Sequence, residues 1–404
     1  MNAKLKAVSV AAALALFAWG CGHKDVLSPV ADPQVPASHA VGAAQNADAT
    51  VSGAQHEEGS LGPGALYSFD VPVAWNGGLV LFVHGYTLAQ APVAIPPLPL
   101  RDFLLGQGFA VAMSSFSENG YAVAEGARQS HQLLGVFTSR YGKPNCTLLL
   151  GVSLGGIIGL ELTERFPQEI NGSLLVSGVT GGSRAEISYM GDIRVLWDYF
   201  YPGTIPGSLF DVPAGVPFDP NWVLSAISTP EGQQKLPILL AFAAMRGLPI
   251  GAGNEPVVGL INALGFQWIG AMDLFDRTHG HVPYSNRDVT YQAPGVPQPI
   301  VDALNAGVAR YDATPDAEAF LARCYEPSGA IKVPVLTLHG QRDPVVPVFH
   351  EALLASRVAA QGAADLLVQR TKDEFGHVVF QPTDIPATFI DLVKWVKLGI
   401  KPTS

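Results

Sequence analysis

Charge is scarce in this chain. Only 14% of its 404 residues are Asp, Glu, Lys or Arg, and the formal net charge is -10 at pH 7. No basic patch breaks that balance, which argues against nucleic acid as a partner. Cysteine is scarcer still, with three residues, Cys21, Cys146 and Cys324. Apolar runs comfortable for a membrane span are missing too. Residues 7–19, 236–245 and 257–272 are apolar, but each is shorter than a span needs. From residue 22 to about residue 58 there is no aromatic side chain. That stretch is rich in Ala, Ser, Pro, Gln and Gly, and it buries too little apolar surface to offset its ordering entropy. No internal repeat is visible.

Apolar residues are plentiful, at 48% of the chain, so a sizeable core is available. The length suits one large α/β domain carrying an insertion. The N-terminus reads as a targeting segment. Lys4 and Lys6 precede the apolar run 7–19, which ends at Gly20-Cys21. Phe17-Ala18-Trp19-Gly20-Cys21 resembles a bacterial lipobox, departing from it at Ala18, where leucine is preferred, and at the bulky Trp19. The resemblance implies a lipid on Cys21; an ordinary secretory signal is the alternative. Both imply an exported, mature protein, anchored to a membrane only if Cys21 is modified. Residues 1–21 are then the signal, 22–58 a tether, and 59–404 the folded domain. Cys146 and Cys324 are left as one possible disulfide in an oxidising compartment, or as two buried thiols.

The chain is organised around Gly151-Val152-Ser153-Leu154-Gly155. An apolar strand-like run, 147–150, precedes it and a helix-like stretch, 154–166, follows it. Strand, sharp turn and helix is the context of a nucleophile elbow. Small neighbours let the turn close, and Gly151, Gly155 and Gly156 meet that need. The bland alternative is a strand-to-helix turn in which Ser153 is a helix cap.

Around the elbow, strands and helices alternate. Strands are expected at 65–71, 79–83, 109–113, 172–177, 333–338 and 366–370. Helices are expected at 101–105, 120–141, 348–360 and 385–398. This order implies an α/β fold, with a mostly parallel central sheet and helices on both faces. The alternation breaks between about 180 and 330. That insertion carries Trp197, Tyr199, Phe200, Tyr201, Phe210, Trp222, Phe266 and Trp268, and reads as a mainly helical cap over Ser153.

A serine hydroxyl needs a base, and the base an orienting acid. Asp343 follows a strand in Leu338-His339-Gly340-Gln341-Arg342-Asp343-Pro344, and His377 follows the last strand in Phe375-Gly376-His377. All three groups fall at carboxyl ends of strands, the functional edge of open α/β sheets. With the elbow, the H-G-x-x-D-x-x-V-P stretch ending at Pro347 and the late Gly-His, the chain from about residue 59 resembles the α/β-hydrolase superfamily. The resemblance implies Ser153 as nucleophile, Asp343 as acid and His377 as base. It also implies an oxyanion hole from two backbone N–H groups, for which Leu154 and Tyr86 are the candidates.

Other residues compete for these roles. His84 and His339 each precede a glycine at a strand end and read as scaffold. His279 and His281 lack a clear third metal ligand. Asp373 and Glu374 rank behind Asp343, and Ser114, Ser115 and Ser117 are pocket-lining candidates without an elbow. The expected activity is hydrolysis of carboxylic esters, apolar or aryl-bearing, small or polymeric, with no metal or organic cofactor. A peptidase or amidase of the same fold is the alternative and needs a cap acid such as Glu186, Asp192, Asp198 or Asp273 to hold a substrate amine. A non-catalytic binding lipoprotein is the remote one.

Overall fold

The computed structural model describes residues 53–404. The signal segment 1–21 with Cys21, and tether residues 22–52, lie outside the described residues. The chain opens with β1 (Gln55–Gly62), β2 (Ala65–Val71), β3 (Gly78–Val83), α1 (Arg101–Gly106), β4 (Ala110–Ser114) and α2 (Val123–Tyr141). Then come β5 (Cys146–Val152), α3 (Leu154–Arg165) and β6 (Gly172–Val176). Helices alone follow: α4 (Ser183–Phe200), α5 (Pro220–Ser228), α6 (Pro230–Met245), α7 (Glu255–Arg277), α8 (Gln298–Gly307) and α9 (Pro315–Arg323). The chain closes with β7 (Val335–Arg342), α10 (Phe349–Ala360), β8 (Leu367–Phe375) and α11 (Asp384–Leu398).

The strands form one sheet in the order β1-β2-β4-β3-β5-β6-β7-β8. At one edge β1 pairs antiparallel with β2 and β2 antiparallel with β4; the other neighbours pair in parallel. Period-2 alternation sorts the apolar side chains of the inner strands onto two faces. Leu79, Leu81, Val83 and Leu149 pack with Phe137 and Ile157 of α2 and α3. Val80, Phe82, Leu148 and Leu150 pack with Leu104 of α1 and Phe389 and Leu392 of α11. Burial on both faces is why these strands read as continuous apolar runs.

Two expectations are corrected. The tether does not extend to residue 58, because Gln55 to Glu58 already belong to β1, paired with β2 from Gln55↔Val71 to Glu58↔Ser68. Composition reports what a segment can bury, and this edge strand is held by its backbone ladder and polar contacts instead. Tyr67 and Tyr141 each donate a hydroxyl to Glu57 at 2.8 Å, and His56 Nδ1 lies 2.7 Å from Asp70 Oδ1. The disulfide is absent as well, and Cys146 and Cys324 are free and buried. Cys146 faces the α1/α11 layer, whereas Cys324, after α9, packs in the opposite layer. The sheet lies between the two layers. Burial raises both thiol pKa values, that of Cys324 to about 12.

The helical stretch between β6 and β7 shares the α2/α3 layer's core. α7 spans 23 residues and is apolar and long enough to cross a membrane by length and composition. Here it packs against α4 and α5, with Leu260, Leu264 and Trp268 buried. Most of the cap aromatics form the cap's own core. Trp197 stacks on Tyr201 at 4.4 Å between centroids, and Trp268 meets Trp222 at 5.1 Å.

Candidate active site

Ser153 sits between β5 and α3 with φ 57° and ψ -122°. A non-glycine residue at positive φ is strained, and it persists only where its surroundings over-determine it. Here they do. The Ser153 N–H donates to the Val176 carbonyl at 3.0 Å, and the Ser153 carbonyl accepts from Gly156 at 2.8 Å and Val179 at 3.2 Å. The flanking glycines are steric necessities: a Cβ on Gly151 would strike the Gly155 carbonyl, and one on Gly155 the carbonyls of Val83 and His84. Ser153 makes no side-chain cap hydrogen bond, so its hydroxyl is not spent on the helix.

Asp343 follows β7 directly and is fully buried. Its Oδ1 accepts from the backbone N–H groups of Val345 at 2.9 Å and Val346 at 3.0 Å, which turns Oδ2 toward His377. His377 follows β8 between Gly376 at φ 113° and Val378 at φ 55°. Its Nδ1 lies 2.7 Å from Asp343 Oδ2, and its Nε2 lies 2.8 Å from Ser153 Oγ. The carboxylate accepts the Nδ1 proton, which leaves Nε2 to accept the serine hydroxyl. Ser153, His377 and Asp343, 224 and 34 residues apart along the chain, thus form one hydrogen-bonded line.

Leu154 opens α3, so its N–H is one of the helix donors with no carbonyl four residues back. Tyr86 lies in the loop after β3, next to Gly85, where a Cβ would come within 2.9 Å of the Ser153 Cβ. Both backbones therefore border Ser153. The Tyr86 ring is buried edge-on to Phe266, 5.5 Å between centroids. Burial and the neighbouring Asp273 carboxylate raise the pKa of its hydroxyl.

The competing residues fall elsewhere. His84 donates its Nδ1–H to the Gly85 carbonyl at 2.7 Å, stacks on Phe116 at 3.9 Å, and has its pKa lowered to about 4 by burial. His339 lies between Glu351, 3.2 Å from Nδ1, and the Val346 carbonyl, 2.8 Å from Nε2. Ser114 and Ser115 bond to backbone groups of Leu66 and Phe116, and Ser117 donates to Glu125. Asp373 pairs with Arg342 in solvent, and Glu374 accepts from Gln381. His279 is a positive-φ turn residue and His281 pairs with Asp316. Among the described residues no three His, Cys, Asp or Glu side chains gather around a possible metal position.

A small cleft lies between the sheet edge and the cap and reaches Tyr86; Ser153, Asp343 and His377 are not among its walls. Tyr86, Tyr121, Glu186, Phe210, Phe266 and Gln267 are among its walls. So two of the cap aromatics, Phe210 and Phe266, pack on the core and also line a cavity. Of the four cap acids, Asp192, Asp198 and Asp273 are tied to Arg246, Arg194 and Arg277. Glu186 is not tied to a cation. Sequence reasoning did not single out Tyr121, Gln267 or His350, since nothing local marks a residue that meets the cleft only through the cap's packing.

No family model matches the chain. An o-phthalyl amidase from Xanthobacter agilis is 28% identical over 130 residues, which are 31% of this chain and 27% of that protein. The match thus spans about a quarter of that relative's length. A feruloyl esterase B from Aspergillus oryzae superposes with a TM-score of 0.46 at 13% identity, over 86% of this chain and 80% of that one. An esterase from Aspergillus oryzae gives 0.47 at 15%, over 84% and 78%, and a carboxyl esterase from Bacillus coagulans 0.41 at 15%, over 85% and 98%. The strand order, the strained serine elbow after β5 and the acid and histidine after β7 and β8 together give this chain the α/β-hydrolase fold.

Proposed function

We propose that this protein is a serine hydrolase that cleaves carboxylic esters through an acyl-enzyme on Ser153. The observation that carries the reading is the line Ser153–His377–Asp343, closed at 2.8 and 2.7 Å on a strained elbow. Ser153 Oγ attacks the ester carbonyl while His377 Nε2 takes its proton. Asp343 holds the imidazole in that tautomer and stabilises its charged form. The carbonyl oxygen becomes an oxyanion facing the N–H groups of Leu154 and Tyr86. The tetrahedral intermediate collapses, the C–O bond to the alcohol breaks, and His377 hands the proton to the leaving alcohol. Water, activated by the same histidine, then releases the acid and restores Ser153. No metal or organic cofactor takes part in this sequence. Phe210 and Phe266 favour an apolar or aryl-bearing acyl group.

An amidase is the second reading, favoured by the local match to an o-phthalyl amidase. The chemistry differs only in the leaving group, an amine that His377 must protonate before it departs.

The test compares wild type with Ser153→Ala on p-nitrophenyl esters from acetate to decanoate and on aryl and aminoacyl anilides. Ester turnover reduced about 10^4-fold or more in Ser153→Ala is expected. Anilide turnover that exceeds ester turnover would move the assignment to the amidase. Absence of Ser153 labelling by a fluorophosphonate would leave only a binding module.

A further inference from the structure

Next to Asp343 the structure holds a buried polar cluster that the hydrolytic steps leave unused. Its centre is His339 of β7, which is fully buried. Both ring nitrogens face oxygens. Nε2 lies 2.8 Å from the Val346 carbonyl, which can only accept, so Nε2 carries a proton. Nδ1 lies 3.2 Å from Glu351 Oε1 of α10. The other oxygen of that carboxyl group accepts from the Thr337 hydroxyl and from Gln369 Nε2, the latter at 2.6 Å. Hydrogen bonds of this kind favour the charged form of a carboxyl group. A charged Glu351 has no proton to give, so Nδ1 donates as well. The cluster is therefore an ion pair, a His339 imidazolium and a Glu351 carboxylate. It meets the triad's acid twice. His339 Nε2 is 3.9 Å from Asp343 Oδ2, the oxygen that also faces His377. Val346, whose carbonyl receives His339, donates its own N–H to Asp343 Oδ1 at 3.0 Å. Among the described residues, only His339 and His377 bring a basic group within 4 Å of Asp343.

We infer that His339 is a positioning residue of the triad: its imidazolium is the counter-charge of Asp343, holds the turn that carries it, and sets the acid limit of activity by opposing protonation of His377. This rests on the serine hydrolase reading above and extends it to the pH range in which the base works. The physical need is plain. While His377 is neutral, a fully buried Asp343 carboxylate held by neutral N–H donors lacks a counter-charge, which is costly in a low-dielectric interior. A fixed cation beside it removes that cost. The same cation repels a second positive charge on His377. The neighbouring groups fit this assignment. Burial alone would lower the His339 pKa, but the hydrogen bond and charge of Glu351, the Asp343 charge and the Val346 carbonyl outweigh it and raise it. His350, beside Glu351 on α10, goes the other way. Its Nδ1 accepts the Gly181 N–H at 2.9 Å, so its one proton sits on Nε2, 2.9 Å from Glu186 Oε2. Burial and the His339 charge lower its pKa to about 3. Burial and the Asp343 charge raise the Glu186 pKa well above the carboxylate range, so Glu186 adds no second anion. Arg357, further along α10, also acts on His350 and pairs with Glu326.

The experiment measures kcat and KM of wild type, His339→Gln and His339→Asn on one p-nitrophenyl ester from pH 5 to 9. Both variants are neutral, and the amide of either offers an N–H to the Val346 carbonyl. Without the imidazolium the Asp343–His377 pair takes up a proton more readily. The acid limb of kcat/KM should therefore move to higher pH by about half a unit or more, with KM on the plateau changed by less than about twofold. A residue that merely braced the turn would lower the plateau and leave the limb in place. Nitrogen NMR of histidine-labelled wild type reads the charge directly. At pH 7 the His339 ring should show two N–H protons, and those of His84 and His350 one each. If neither variant folds, that spectrum still decides whether His339 is a cation. A limb that stays in place or moves to lower pH, or a His339 ring with a single proton, overturns the inference and leaves the hydrolase reading intact. If wild type turns over no ester and Ser153 takes up no fluorophosphonate, the hydrolase reading fails and the role of His339 falls with it.

Discussion

At the scale of single residues, the site depends on side chains whose neighbours leave them no alternative. Ser153 keeps a positive φ because Gly151 and Gly155 allow β5 and α3 to close over β3. Gly155→Ala places a methyl against the Val83 and His84 carbonyls, both backbone and unable to yield. It should cost about 3 kcal/mol, read as a lower urea midpoint, and lower ester turnover with it. His84 illustrates a second constraint. Burial against Phe116 lowers its pKa from 6.5 to about 4. The unfolded chain therefore binds a proton that the native state refuses between those values. The stability that neutral His84 supports is complete above about pH 6.5 and lost as pH falls toward 4, with a limiting slope of about 1.4 kcal/mol per pH unit. Urea unfolding of wild type and His84→Gln across pH 4–7 should show the wild-type advantage shrinking at the acid end. An advantage constant across that range would mean His84 binds its proton equally well in the folded and unfolded chain. The places of Ser153, Asp343 and His377 at strand ends were legible because each sits beside local strand-end punctuation. The separation of Glu186 from the arginines of the cap was not. In the sequence Glu186 is one of four cap acids, and only the arginine contacts of the other three set it apart.

Among the elements, the inner strands and the flanking helices were legible because their apolar patterns are long and regular. β1 was missed because its side chains are mostly polar and its support is an edge ladder. It still contributes. The carboxylate of Glu57 receives two tyrosine hydroxyls and pairs with Arg140 of α2. A chain beginning at residue 59 exposes the β2 edge and loses those bonds. Its melting temperature should be a few degrees below that of a chain beginning at residue 53, each lost bond being worth about 1 kcal/mol. Identical melting curves would make β1 a passive flap. The cap shows the opposite limit. Its aromatic content was plain in the sequence, but which rings line the cleft was not. Trp197 packs on Tyr201 and Trp222 on Trp268, while Phe210 and Phe266 line the cleft. A helix's apolar residues all look alike until its partners are in place.

For the molecule as a whole, the sheet is a partition. It divides the apolar core into two layers, each with its own buried cysteine. Cys146 and Cys324 should resist thiol reagents in the native protein and react as two free thiols after unfolding in urea. Reductant should leave the melting temperature unchanged. A shift of several degrees on reduction, or one thiol pair missing by mass spectrometry, would show that the two are bridged. By itself the sequence determined the α/β alternation, the place of the elbow, and the chain order of serine, aspartate and histidine. Those features are written in local periodicity and in turn residues that act within a few positions of one another. The tertiary structure alone decided which cysteine lies on which face, which cap aromatics line a cleft, and which cap acid is left without an arginine partner. These depend on contacts between residues tens to hundreds of positions apart. Sheet register and cap packing choose such contacts, and no short window of sequence contains them.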